Sequence, residues 1–380
     1  MDVPYIFLLF LLLILFFLNW YKKEWLYLYI SPIIILLFIG LRAPVVGGDS
    51  IDYVRLFTGS KMGIYTYYDH VEALYRSYNF FMSNILYRQT PLFLLIHTFF
   101  SLAPFYLLVK KYSRSVPMSC LLFIIMSLYV YYMAAFRQIL GMGILFYGMW
   151  YFLEKKKWKW QVFIASGVVG YFIHSSCFIT FFVYLGCYFL RYKSKVVPYV
   201  AIVASALVGR VFHWFDLKAA MQLLAMNGIS ELERMNTYLT WSLSSDNDAG
   251  IIRLVASSAI AIFFFYMMSK RQACHWFSKI LLVGIVVDNL FYGMKMLDRL
   301  LLPFMMFAVI CYTWVFNLKY IFAKSFEKGL YKFLLILAIA YMSQSYVKQN
   351  TNWDKEDSML LHPYYFFWQD YRDHPAHRLR

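Results

Sequence analysis

Four ionisable residues, Arg42, Arg137, His174 and Arg299, stand at the ends of long apolar runs, and Asp49 lies just beyond the first of them. If those runs lie in lipid, each is by default a candidate for function, because a charge at membrane depth is costly unless it is paired or faces water. The plainer alternative for an arginine is to reach out to the headgroups. In GLRAPVVGGDSIDYVRLF, residues 40–57, Pro44 ends a helix, Gly47 and Gly48 allow a tight turn, and Asp49 or Ser50 can cap a new helix with Asp52 near its first turn. Capping alone accounts for the carboxylates, but it also sets a helix N-terminus close to Arg42, and such a pair forms an anion site. In AAFRQILGMGI, Arg137 and Gln138 interrupt an apolar stretch, while Gly141 and Gly143 permit close helix approach. Arg137 is the hardest of these residues to dismiss as a surface group. His174, in GYFIHSSCFITF, is either a hydrogen-bonding partner for a neighbouring helix or a proton acceptor suited to neutral pH. At about 100° per residue, Asp288, Tyr292, Lys295 and Arg299 fall within about 60° on one helical face, as a structural charge ladder or as the wall of a wet cavity.

Composition names the solvent. The chain has 380 residues, 62% hydrophobic and 15% charged, against about 45–50% and about 25% for an ordinary soluble domain. Its mean hydropathy is +0.57. An all-α, polytopic integral membrane protein is expected, since lipid offers no partner for unpaired backbone groups. The net charge of +16 lies largely in short clusters between apolar blocks, where it orients helices, so nucleic acid is not an expected partner. Cys120, Cys177, Cys187 and Cys311 sit inside apolar blocks and Cys274 at the edge of one, with no disulfide or zinc spacing. The block from Pro4 to Leu18 reads as a retained span rather than a signal peptide. SSDNDAG, residues 244–250, contains a DxD pattern, but in an outer loop it reads as a polar turn. Neither a Walker loop nor HExxH, GxSxG or CxxC occurs, which leaves a nucleotide-driven pump and an ordinary zinc protease without support.

About 12 spans are expected, near 4–20, 25–41, 91–109, 117–136, 138–153, 160–174, 176–190, 196–212, 251–269, 276–297, 300–318 and 329–346. Every second connection then carries basic residues: Lys22 and Lys23; Lys110, Lys111 and Arg114; Lys155, Lys156, Lys157 and Lys159; Arg191, Lys193 and Lys195; Lys270 and Arg271; Lys319, Lys324 and Lys328. By the positive-inside rule these clusters face the cytoplasm. A transmembrane domain over 1–346 is expected, with outer loops 42–90 and 213–250, an outer tail 347–380 and both termini outside. The candidate site residues then gather on the outer side.

These residues carry a resemblance. The chain shows R-x-x-x-x-G-x-D-x-x-x-Y after the second span (Arg42, Gly47, Asp49, Tyr53), F-R-Q opening a glycine-bearing span, a basic loop followed by F-I-H-S-S, D-R at the foot of a late span, and an H-P-Y-Y tail. In that order it resembles the EpsG family of Wzy-like polysaccharide polymerases, over residues of about 35–370. The resemblance implies a glycosyltransferase in the bacterial inner membrane that joins undecaprenyl-diphosphate-linked oligosaccharides on the outer leaflet. Arg42, Arg137 and Arg299 would hold the diphosphates, because a guanidinium is a permanent bidentate fork for phosphate. His174 would be the general base, with Asp49 as base or orienter of an arginine. Gly47, Tyr53, Gln138, Asp288, Tyr292 and Lys295 would support them. Neither a metal nor a cofactor is required, and membrane lipid, a chain-length regulator and a flippase are the further partners implied. The rivals are a polysaccharide ligase, a lipid-linked oligosaccharide flippase and a membrane acyltransferase.

Overall fold

The computed structural model describes residues 3–22, 26–59, 71–154, 157–191, 196–212, 251–269, 275–291, 295–315, 326–351 and 361–370. The loop 213–250 and Tyr292 lie outside these residues, and of Lys295 only the helical backbone is described. Among the described residues the fold is all-helical, and the only β-type pairing is an isolated bridge between Arg42 and Phe366. In chain order the helices are α1 (Val3–Lys22), α2 (Leu26–Gly40), α3 (Ser50–Gly59), α4 (Ala73–Ile85), α5 (Thr90–Tyr112), α6 (Val116–Ile125), α7 (Tyr129–Ala134) and α8 (Phe136–Leu153). There follow α9 (Lys159–Ile173), α10 (Ser176–Phe189), α11 (Val197–Phe212), α12 (Ile251–Ser269), α13 (His275–Leu290), α14 (Lys295–Met305), α15 (Ala308–Cys311) and α16 (Phe326–Thr351).

These helices lie where the apolar blocks place them, apart from breaks in three blocks, one of them the block at 276–297, where α13 ends at Leu290 and α14 begins at Lys295. The block at 117–136 is broken: Met126–Leu128 form a turn, with Ser127 at φ 57°, and Ala135 interrupts the chain again before α8. The block at 300–318 likewise divides into α14, α15 and a short 3₁₀ turn at Tyr312–Trp314. Among the described residues α5 alone is long and apolar enough by itself to cross a membrane, and eight other apolar helical stretches run to 10–17 residues. The helical elements thus stand at the expected places, and among the described residues one of them has by itself the length and hydropathy of a full crossing.

The chain divides into two compact units, Met1–Val183 with Met342–Arg380, and Tyr184–Tyr341. In the first, α8 packs against α5 and α9. Small residues let it do so. A Cβ on Gly143 would lie 3.0 Å from the backbone of Ser101, and one on Gly141 only 2.5 Å from Cys177 Sγ. Such contact is the usual basis of helix association where water supplies no drive. Segment 42–90 contributes α3 and α4, which pack against the ends of α5, α8 and α9. Val54, Phe57, Tyr75, Phe93, Phe136, Leu140 and Ile173 form their shared core. On α4 the buried positions Tyr75, Asn79, Met82 and Ser83 repeat at helical spacing.

In the second unit α11 packs on α13, where buried Asn289 donates to Ser205 Oγ (3.1 Å) and to the Ile202 carbonyl (3.3 Å). A polar residue joining two helices in this way is common in membranes.

Candidate active site

The break between α7 and α8 organises the site. Where Ala135 leaves the helical region (φ −107°, ψ 56°), α7 ends and carbonyls of its last turn lose their regular partners in apolar surroundings. Met133 O accepts from Arg42 Nη2 (3.1 Å), and Phe136 O from His97 Nε2 (3.2 Å). Since a carbonyl only accepts, Nε2 of His97 carries the proton and its Nδ1 accepts from Tyr78 OH (3.3 Å). Burial pushes the Tyr75 and Tyr78 phenols up, so both stay neutral.

Arg42 is 0% exposed. Besides Met133, its Nη1 donates to Ile39 O (2.5 Å) and its Nε to Val46 O (3.1 Å), and the guanidinium lies 5.0 Å from the centre of the Phe136 ring. It therefore ties the end of α2, the elbow before α3 and the α7–α8 break together. The sequence offers Arg42 as a diphosphate ligand; in this arrangement it is enclosed, with its donors on backbone oxygens. Gly47 lies in the same joint at φ 107°, and a Cβ there would sit 2.3 Å from Met133 O. Both its conformation and its neighbour demand glycine.

The H-P-Y-Y segment straps this joint. Ala43 N donates to Tyr365 O (2.8 Å) and Phe367 N to Leu41 O (3.0 Å). The Tyr364 ring stacks on Phe38 at 4.5 Å while its hydroxyl donates to the Phe38 carbonyl. Tyr5 OH donates to Leu361 O (2.9 Å).

Arg137, in the first turn of α8, is built differently. Its Nη1 donates to Glu72 Oε2 (2.6 Å) and its Nε to Tyr53 OH (3.3 Å). The Tyr53 ring stacks on Phe136 at 5.0 Å. The Arg137 and Glu72 side chains remain 19% and 22% exposed. Glu72 occupies the N-cap position of α4 but makes no side-chain cap bond there. Its other oxygen, Oε1, accepts from the backbone N–H of Ser175 (3.2 Å), in the turn that joins α9 to α10.

That turn carries His174. Its Nδ1 lies 2.7 Å from Ser176 Oγ and accepts from Ser176 N–H (3.3 Å). A backbone N–H can only donate, so the Nδ1 lone pair faces Ser176 and the neutral ring carries its proton on Nε2. Asp49 stands half-buried at the start of α3, its carbonyl accepting from Tyr53 N (3.3 Å), and Asp52 lies in the first turn. Gln138 is buried beside Arg137 in sequence.

The structure thus brings Arg137, Tyr53 and the His174 turn together, with Gly47 and Arg42 holding the scaffold beneath. The late stripe does not share one helix, since α13 ends at Leu290 and α14 begins at Lys295. In the second unit Asp288 is half-buried on α13 and Arg299 exposed on α14. Sequence reasoning missed Glu72, His97 and Tyr78. An acidic residue at the head of the apolar-patterned ALYRSYNFFM was the available signal for Glu72. Among the described residues no group of three or more His, Cys, Asp or Glu side chains could hold a metal ion.

Apolar helices throughout and a half-buried polar cluster where a helix breaks define a membrane protein with a polar site. Residues 25–366 match the EpsG family, a stretch that takes in the elbow, Glu72, the break, the His174 turn and the strap as far as Phe366. The chain belongs to the EpsG family and is a membrane protein of polysaccharide biosynthesis. No curated protein and no solved structure matches it.

Proposed function

We propose that this chain is a polysaccharide polymerase of the bacterial inner membrane, working on the outer leaflet with both of its termini outside. It moves a growing glycan from undecaprenyl diphosphate onto a free hydroxyl of the next lipid-linked repeat unit. The bond from the anomeric carbon to phosphate breaks, a bond to the acceptor oxygen forms, and the electron pair leaves with the lipid diphosphate. The energy is already in the phosphate ester, so positioned positive charge at the leaving oxygens is the main requirement.

The observation that carries this assignment is the state of Arg137. It is a half-buried guanidinium at a helix break, and its bonds go to two side chains that can turn aside. A diphosphate offers a guanidinium stronger bidentate bonding than one carboxylate oxygen and a phenol. Arg299 is the further candidate for a diphosphate, while Arg42 shapes the joint. His174 presents Nε2–H as a donor. A flippase supplying the units and a chain-length regulator are the partners this activity calls for.

Deletion of the chain separates the assignments. For a polymerase the surface polysaccharide ladder collapses to a single repeat; for a ligase no repeat remains attached; for a flippase lipid-linked units stay on the inner leaflet. Either of the latter results would overturn the proposal.

A further inference from the structure

We infer that Glu72 takes the proton from the acceptor hydroxyl, and that it becomes able to do so when a substrate diphosphate draws Arg137 away from it. This rests on the reaction proposed above. Three observations converge on it. First, Glu72 touches both halves of the site: one oxygen is bonded to Arg137 and the other to the turn of His174. Second, of the two proton acceptors that the sequence offers, His174 turns its Nδ1 lone pair to Ser176, and Asp49 stands at the head of α3, a position where a carboxylate ordinarily caps a helix. Third, Glu72 makes no cap bond to its own helix although it stands at the N-cap, so its carboxylate is positioned by the site instead.

The step balances without any other reactant. The acceptor oxygen bonds to the anomeric carbon, the carbon–oxygen bond to phosphate breaks, and the lipid diphosphate keeps the electron pair beside Arg137. The acceptor proton passes to a Glu72 oxygen and from there to water. While Arg137 is bonded to Glu72 Oε2, that oxygen is engaged, and once Arg137 has turned to a phosphate the oxygen is open to accept from a hydroxyl. Binding of the donor thus prepares the base, and the acceptor hydroxyl is not activated before a leaving group is in place.

The test compares binding with turnover in the full chain, purified into nanodiscs, with farnesyl diphosphate as the binding probe. Glu72→Gln removes the competitor for Arg137 together with the base. It should bind the probe at least as tightly as the unsubstituted chain, yet lose polymerisation by more than about 100-fold. Glu72→Asp, which keeps the charge on a shorter arm, should recover part of the ladder through kcat with little change in KM. Weaker probe binding by Glu72→Gln would make Glu72 a strut for Arg137, and a full ladder from it would remove the base; either overturns the inference. If Glu72→Gln does not accumulate, Glu72→Asp decides: a change confined to KM overturns the inference and one confined to kcat supports it. Failure of the underlying reaction looks different, because the unsubstituted chain would then bind no probe, or Arg137→Lys would bind it equally well.

Discussion

Arg42 and Arg137 look alike in the sequence, each an arginine at the end of an apolar run, and they are opposite in the structure. Arg42 is enclosed and bonded to three carbonyls, which cannot move without moving α2, the elbow or the break. Arg137 is partly open and bonded to a carboxylate and a phenol, which need only change rotamer. The difference lies in the partner rather than in the arginine. A guanidinium on backbone oxygens is part of the fold, whereas one on side chains is available for exchange with a ligand. A buried joint of the first kind is what holds a site of the second kind in register.

The comparison breaks most sharply at Arg42. Arg42→Met strands the carbonyls of Ile39, Val46 and Met133, at about 1–3 kcal/mol for each buried group left unbonded. Membrane levels and the melting temperature in detergent should both fall steeply. Arg42→Lys should fare little better, since one ammonium cannot meet three carbonyls arranged around a planar fork. A variant of normal stability that lost only polymerisation would return Arg42 to the ligand-binding side.

Gly47→Ala comes next. Its methyl group would fall 2.3 Å from Met133 O at a positive φ, and the strain and overpacking together amount to about 2–5 kcal/mol. The same two measurements apply, and an unchanged melting temperature would mean that the elbow is not docked on the break.

Arg137→Lys tests the other side. The ammonium can still pair with Glu72, so stability should change by less than about 1 kcal/mol, while polymer length should fall to near a single repeat because a point charge does not reproduce the bidentate fork. Near-normal ladders at matched membrane levels would reduce Arg137 to a packing residue and erase its contrast with Arg42.

Much of this was legible in the sequence, and the boundary of legibility has physical causes. Apolar blocks mark helices because in lipid only local hydrogen bonding satisfies the backbone, so α2, α5 and α9 lie within two or three residues of their expected limits. Gly47 could be read because turn chemistry is local. Glu72 could not be read this way, because its two partners are 65 and 103 residues away and an ion pair leaves no local periodicity. The turn at Met126–Leu128 was equally hidden. It carries neither Gly nor Pro, and Ser127 takes a positive φ without the residue that usually announces one. The tail motif was recognisable as a string, but its role in closing the Arg42 joint follows only from where Tyr364 and Tyr365 pair.

The smallest expected effect belongs to Asp49, where it divides two roles for one carboxylate. It stands at the start of α3, with its carbonyl already bonded to Tyr53 N. As a cap it should tolerate Asn and Ser, which satisfy free N–H groups about as well and differ by a few tenths of a kcal/mol; Ala should lose about 1 kcal/mol. As a base or an orienter of charge it could not tolerate Asn, which caps well but carries no negative charge. With Glu72 assigned to the proton, the expected result is a full ladder from Asp49→Asn and Asp49→Ser, and a slightly less stable but active Asp49→Ala. Ladders from strains expressing each variant at matched membrane levels make the comparison. A ladder lost equally in Asn and Ala would move the base from Glu72 to Asp49, and the elbow held by Arg42 would then be part of the chemistry as well as its support.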